Sequence, residues 1–287
     1  MHFGWITKTT FFVIGLLGVV TLGLCLGLIR FNDGLVRVVF LSVGQGDAIL
    51  IQSGRQQILI DGGRGGSTLL AALGQELPFY DRTIEVVIAT HPDADHIGGL
   101  STLLDRYQVG QLIETGALAT NDTVDAKLLL KAIERTHTPH ALLGRHGTSI
   151  ELAQGGLLTI LFPTTLPLPL DTDTNDGSIV ARFDFGETSF LFTGDLADEE
   201  DVLPDILPVD VLKVAHHGSR YSTSDAWLDL VQPREAIISV GKNAYGHPAP
   251  EVMERLKARG IASYRTDELG PIGYRCFVEE KQCFREE

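Results

Sequence analysis

The stretch IEVVIATHPDADHIGGL, residues 84–100, sets the strongest limit on what this chain can become. IEVVIAT has the β-branched, apolar character of a buried strand. It runs straight into His91, Asp93, Asp95 and His96, two imidazoles and two carboxylates within six positions. A packed core accepts such groups only when they are paired or bound to a metal. The stretch therefore predicts a sheet whose strand ends build a metal site.

The pattern recurs. Asp61 follows QILI, Asp195 follows FLFTG, His216 and His217 follow VLKVA, and His247 follows IISVGKNAYG. A lone Asp at a strand end usually caps a helix or orders a turn, and His217 before Gly218 alone would read as a turn residue. Repeated along one chain, these residues point to a site assembled at one edge of a sheet. The elements between them alternate. VRVVFLSV, AILIQ and QILIDGG read as a three-stranded meander, and Thr68 to Leu73 as a short helix. TVDAKLLLKAIERTH reads as a helix with Val124, Leu128, Leu129, Ala132 and Ile133 on one face. The second half repeats the scheme from the hairpin SIVARFDFGETSFLF, with its turn near Gly186-Glu187. The expected class is α/β (α+β): two sheets face to face with helices outside.

Phe11 to Ile29 is an uncharged run of 19 residues, roughly 28 Å as a helix. It predicts an N-terminal membrane anchor or signal segment over residues 1–30. No small-x-small site follows the run, so an uncleaved anchor is favoured, with residues 31–287 as one domain. The net charge of −14 argues against a surface that coats nucleic acid, because affinity for phosphates comes from clustered Lys and Arg. A nucleic-acid enzyme with bound cations and a local basic patch stays open. Cys25 lies in the anchor. Cys276 and Cys283 face each other across a turn at Glu279-Glu280, as a hairpin disulfide or as two free thiols. DTDTNDG lacks the glycine and glutamate spacing of a calcium loop, and DGGRGGS lacks the lysine of a phosphate loop.

VGQGDAILIQSGRQQILIDGG, THPDADHIGGL, NDGSIVARFDFGETSFLFTGDL, LKVAHHGSRYSTS and NAYGHP, in that order, resemble the metallo-β-lactamase fold, and more narrowly the C-terminal hydrolase domain of ComEC-type DNA-uptake proteins. The resemblance implies a four-layer αββα sandwich over residues 31–287 and two divalent metal ions, Mn or Zn. Carried over, His91 and Asp93 hold one metal and Asp95 and His96 the second. Asp195 bridges them, and His247 completes the ligand set of the second metal. His216 and His217 lie beside the substrate phosphate, and Asn175 stands where many members place a third histidine. Asp95, His216, His217 and Asn175 would carry the chemistry. Asp61, Asp47 and Gln45 would order the metal-binding loop, and Lys213, Ser219, Arg220 and Lys242 would bind substrate. Asp93 in place of a histidine hardens the ligand set and moves preference towards manganese. Ser42 stands where the family usually has Asp.

Two cations some 3.5–4 Å apart can bind the attacking hydroxide and stabilise the pentavalent oxygens. The expected function is thus a membrane-anchored two-metal phosphodiester hydrolase, a nuclease acting on single-stranded DNA. The domain would lie outside the cytoplasmic membrane on a single pass through residues 11–29, with a separate DNA-channel protein as partner. Two alternatives remain: a cell-envelope phosphodiesterase of the phosphorylcholine-esterase kind, or a non-catalytic DNA-binding accessory of a DNA-uptake system.

Overall fold

The computed structural model describes residues 8–31, 35–166, 168 and 173–287. Its strands form two mixed sheets. The first runs in the order Gln282–Arg285, Ile272–Phe277, Leu35–Phe40, Ile49–Ser53, Gln56–Ile60, Thr83–Ile88, Gln108–Ile113 and His140–Ala141. The second runs Ala262–Arg265, Glu235–Ile238, Val211–Lys213, Thr188–Phe192, Val180–Phe185, Leu157–Phe162 and Ser149–Glu151.

Side chains alternate across a strand, so each sheet divides its apolar residues between two faces. Val36, Val38, Phe40, Ile58 and Ile60 join Phe190, Phe192 and Val211 in a core between the sheets. Their neighbours Val39, Leu41 and Leu59 turn the other way. There they pack with Leu69, Leu73, Leu100, Leu103 and Leu129 from the outer helices. On the far side Leu191 and Leu212 meet Trp227, Leu228, Val252 and Leu256. Three cores separate four layers, as the period-2 pattern requires. The helix at Val124–Thr136 corrects one expected face: it buries Ala126, Leu129, Ala132 and Ile133, whereas Val124 and Leu128 are 70% and 48% exposed. The buried set follows the i, i+3, i+7 spacing from Ala126, and at about 100° per residue Val124 falls nearly opposite it.

The N-terminal run forms the helix Lys8–Phe31. The expected single-pass anchor, and with it the location at a cytoplasmic membrane, is corrected: among the described residues no helix is long and apolar enough to cross a membrane. The side chains described on this helix are those of residues 10–23. The remaining side chains of the expected span, residues 24–29, lie outside those described. At the other terminus Cys276 lies opposite Cys283 in register and the two are disulfide-bonded.

The parallel parts of the two sheets position the site. Gln56–Ile60, Thr83–Ile88 and Gln108–Ile113 run parallel in the first sheet. Thr188–Phe192, Val211–Lys213 and Glu235–Ile238 do so in the second. Asp61, His91, Asp195 and His216–His217 all follow the C-terminal ends of these strands. The two sheets are joined there by Ile179 N–H donating to the Thr90 carbonyl, 3.0 Å.

Candidate metal centre

Three buried histidines have one ring nitrogen committed and the other free. Asp61 adopts a left-handed backbone at the strand end, φ 60°. Its carboxylate accepts from Thr90 N at 2.8 Å, Thr90 Oγ1 at 2.7 Å and His96 Nδ1 at 2.7 Å. Thr90 Oγ1, having donated to Asp61, accepts from His91 Nδ1 at 3.0 Å. His217 Nδ1 donates to the Ser239 carbonyl at 2.8 Å. A ring that donates through Nδ1 carries its lone pair on Nε2. The Nε2 atoms of His91, His96 and His217 are all buried without a hydrogen-bond partner.

These Nε2 atoms converge on Asp195. Its Oδ2 lies 3.2 Å from His96 Nε2, 3.4 Å from His217 Nε2, 3.9 Å from His216 Nε2 and 4.0 Å from His91 Nε2. Asp95 Oδ2 lies 3.6 Å from His217 Nε2. Two donors each about 2.1 Å from one tetrahedral cation sit roughly 3.4 Å apart, so the spacing fits ligands of a shared metal. His91–His96–Asp195 and Asp95–His96–His217 each gather their donor atoms within 4.8 Å. Electrostatics agrees. Burial alone would lower the pKa of His96, but the Asp195 and Asp61 carboxylates outweigh it and push it up to about 10. His217 is raised in the same way, against burial, chiefly by Asp195. A field that holds protons on two buried imidazoles is one that a divalent cation can neutralise by displacing them.

The flanking residues are placed as follows. His216 and His217 both take left-handed backbones, φ 48° and 53°, a conformation rare outside glycine and common at functional sites. It turns both rings towards Asp195. His247 makes no ion pair or hydrogen bond with Asp95, His96 or Asp195 among the described residues; its ring packs edge-on against His216 at 5.5 Å. Asp93 is bonded to Thr174, and burial raises its pKa. Asn175 Oδ1 is buried without a partner. Ser219 is buried, its N–H donating to the His216 carbonyl at 2.9 Å. Gln45 Oε1 accepts from Gly241 N at 3.4 Å. Arg220 and Lys242 are exposed.

Lys213 corrects an expectation. It is 0% exposed and cannot reach a bound substrate. Its Nζ donates to the Gly194 carbonyl at 2.8 Å, pairs with Asp47 and lies 3.6 Å from Asp195 Oδ1. The lysine thus holds Asp195 from behind while Oδ2 faces the imidazoles. Asp47, fully buried, is brought down to about 2 because Lys213 and His217 outweigh its desolvation.

Thr90, Ser178, Ser239 and Glu199 also build the site and were not expected. Ser178 Oγ lies 3.3 Å from His91 Nδ1 and accepts from Asp195 N at 3.2 Å. Thr90, directly before the HPDADH segment, carried the only usable sequence signal. Glu199 accepts from Thr223 N with both oxygens, 2.9 and 3.1 Å, tying the loop after Asp195 to the loop after His217. Burial pushes the Glu199 pKa up to about 7 from 4.5. A raised acid pKa contributes stability that is present below pH 4.5 and lost as pH rises through about 7. Glu199→Gln is therefore expected to remove a pH-dependent loss on the order of 2–3 kcal/mol between pH 5 and 8. Urea midpoints across that range check it: parallel pH profiles for variant and parent would refute the assignment.

Residues 41–242 match the family model described as the metallo-beta-lactamase superfamily. The chain is similar to ComE operon protein 3 of Bacillus subtilis (strain 168), 32% identical over 267 residues, covering 83% of this chain and 33% of that protein. It is 35% identical over 248 residues to Recombination protein 2 of Haemophilus influenzae, covering 83% of this chain and 29% of that protein. Competence protein ComA of Neisseria gonorrhoeae is 29% identical over 243 residues, with 80% and 31% covered. The chain thus spans about a third of the length of these curated relatives. Among solved structures, the metallo-beta-lactamase fold protein YhfI from Bacillus subtilis superposes with a TM-score of 0.53 at 15% identity, covering 80% of this chain and 95% of that one. Zn(2+)-bound PqqB from Methylobacterium extorquens gives 0.53 at 15%, with 82% and 99% covered. The two facing sheets, the ligand-bearing strand ends and the match across most of the domain agree: the chain belongs to the metallo-β-lactamase superfamily.

Proposed function

We propose that this chain is a two-metal phosphodiester hydrolase that cleaves single-stranded DNA. The observation that carries the reading is the convergence of three unpartnered imidazole Nε2 atoms with Asp95 and Asp195 at the strand ends. His91, His96, His217, Asp95 and Asp195 would hold the metals, manganese or zinc, a set of nitrogen and carboxylate donors that suits either. Bound there, two divalent cations supply positive charge for a phosphate oxygen and acidify water at neutral pH.

The protein's own groups do the rest. Asp61, Thr90 and the Ser239 carbonyl keep the three rings in one tautomer and one orientation. Lys213 and the Asp195 backbone bond to Ser178 keep Asp195 from rotating. His216 and His247 are held below the ordinary imidazole pKa, first by burial. Neutral at pH 7, they can hydrogen-bond a phosphate oxygen at the half-buried mouth without adding charge. A DNA substrate is supported by the relatives named for competence and recombination. The single strand is preferred because a duplex must distort to bring one phosphate into a recessed site, at a cost of roughly a few kcal/mol.

The test is the full-length chain, loaded with manganese or zinc, on labelled 40-mers in single-stranded and paired form, with Asp95→Ala as blank. The single strand is expected to be cut faster, without sequence preference. Because the chain carries a net charge of −14, the salt dependence should be shallow, about two or three phosphates' worth. A metal-loaded protein that cuts neither substrate would end the nuclease reading.

A further inference from the structure

We propose that the cavity beside the metal centre, walled by Gln45, Arg64, Thr68, Lys242 and Tyr245, binds one nucleotide unit of a single strand next to the cleaved phosphate. A phosphate would lie between Arg64 and Lys242, with the base on Tyr245. The proposal deepens the nuclease reading and rests on it. The cavity measures about 440 Å³, within the ~300–1,000 Å³ usual for small-molecule sites.

Its walls belong to the same frame as the metal ligands. Gly46 presses so closely on the Asp95 carbonyl that a side chain there would collide with it, and Asp47 N–H donates to that carbonyl at 3.1 Å. On the opposite wall, Asn243 Oδ1 accepts from the backbone N–H groups of Tyr245, Gly246 and His247 at 3.1, 3.0 and 3.0 Å. One loop therefore carries Lys242 and Tyr245 on the cavity side and sets His247 against His216 on the other. The loop is bridged to Gln45 through Gly241.

Charge identifies the ligand. In this acidic chain Arg37, Arg135, Arg182, Arg259, Arg265 and Arg275 are all engaged by carboxylates. Arg64 and Lys242 are exposed, and neither makes an ion pair or a side-chain hydrogen bond among the described residues. No acidic side chain lines the cavity. Two unpaired cations facing one hollow beside a metal centre suit an anion already held at that centre. The helix Gly66–Glu76 begins at the cavity wall with no acidic residue and no capping side chain in its first turn, which adds favourable backbone dipoles.

Tyr245 supplies the second half of the recognition. It is 68% exposed, and its ring leans on His247 with centroids 5.7 Å apart at 33°. An aromatic ring steadied on one side and open on the other is a stacking platform for a base of any sequence. An unstacked single strand can present both a base and its phosphate in this way, whereas paired bases stay stacked on each other.

Fluorescence anisotropy of a labelled 12-nucleotide strand with the full-length chain tests the subsite. The chain is loaded with manganese or zinc, and phosphorothioate linkages throughout the strand suppress cleavage during the titration. Arg64→Gln and Tyr245→Leu, both at exposed positions, are each expected to weaken binding by about 10-fold. The slope of log Kd against log salt should fall by about 1 in Arg64→Gln and stay put in Tyr245→Leu. Unchanged affinity in both variants, or no binding by the parent chain, overturns the proposal. Cleavage assays separate the two readings. Parent cleavage with an unaltered KM in both variants keeps the nuclease and removes the subsite. Weakened binding with no cleavage by the metal-loaded parent keeps the subsite and removes the nuclease.

Discussion

On the proposed two-metal phosphodiesterase reading, Asp195→Ala is expected to lose both metals together and to cut hydrolysis by about 1,000-fold or more, on the order of 4 kcal/mol of barrier. The expectation follows from position. Asp195 Oδ2 lies within 4.0 Å of the Nε2 atoms of His91, His96, His216 and His217 at once, so its removal opens both ligand groups. His217→Ala takes away a single Nε2 and should lower loading by about one equivalent, because Asp195 and the remaining imidazoles keep the other group together. Elemental analysis of both purified variants against the parent reads the difference. Two metals per chain in Asp195→Ala would show that the carboxylate does not join the two groups.

Lys213→Met is expected to destabilise the fold by about 3–5 kcal/mol, because it leaves the buried Asp47 without its counter-charge. For a domain of this size that is a fall in Tm on the order of 10 °C. The contribution of Asp47 to the pH dependence should invert as well. In the parent, the Asp47 pKa lies at about 2, below its ordinary 3.8. That pairing stabilises the fold above pH 4 and is lost as pH falls towards 2. Without Lys213, desolvation of Asp47 meets less opposition and its folded pKa rises. The variant should then gain more stability than the parent as pH is lowered from 7. Adding Asp47→Asn to Lys213→Met should recover part of the loss, since the stranded charge is gone. Thermal melts of the three variants at pH 5 and 7 are the measurement. An unchanged Tm with a raised KM would return Lys213 to the substrate.

What was legible in the sequence was whatever neighbouring residues decide. A β-branched strand ending in HPDADH, and the period-2 split of Val38, Val39 and Phe40 between two faces, needed only local geometry. Even the burial of Lys213 was within reach: Val211 points into the core between the sheets, and residues two apart on a strand share a face. The N-terminal run announced a helix, but its apolar composition did not settle what that helix does.

The sequence by itself determined two layered sheets with ligand-type side chains at their strand ends. Which of those side chains come together was decided only by the tertiary structure. His91 is oriented by Thr90, which Asp61 holds from 29 positions away, and by Ser178, 87 positions away, and His96 by Asp61, 35 positions away. His217 rather than His247 comes to Asp95 because two consecutive left-handed residues swing its ring inward. Contacts of that reach depend on how the two sheets pack, and no local pattern of residues encodes a distance between strands that meet only in the folded chain.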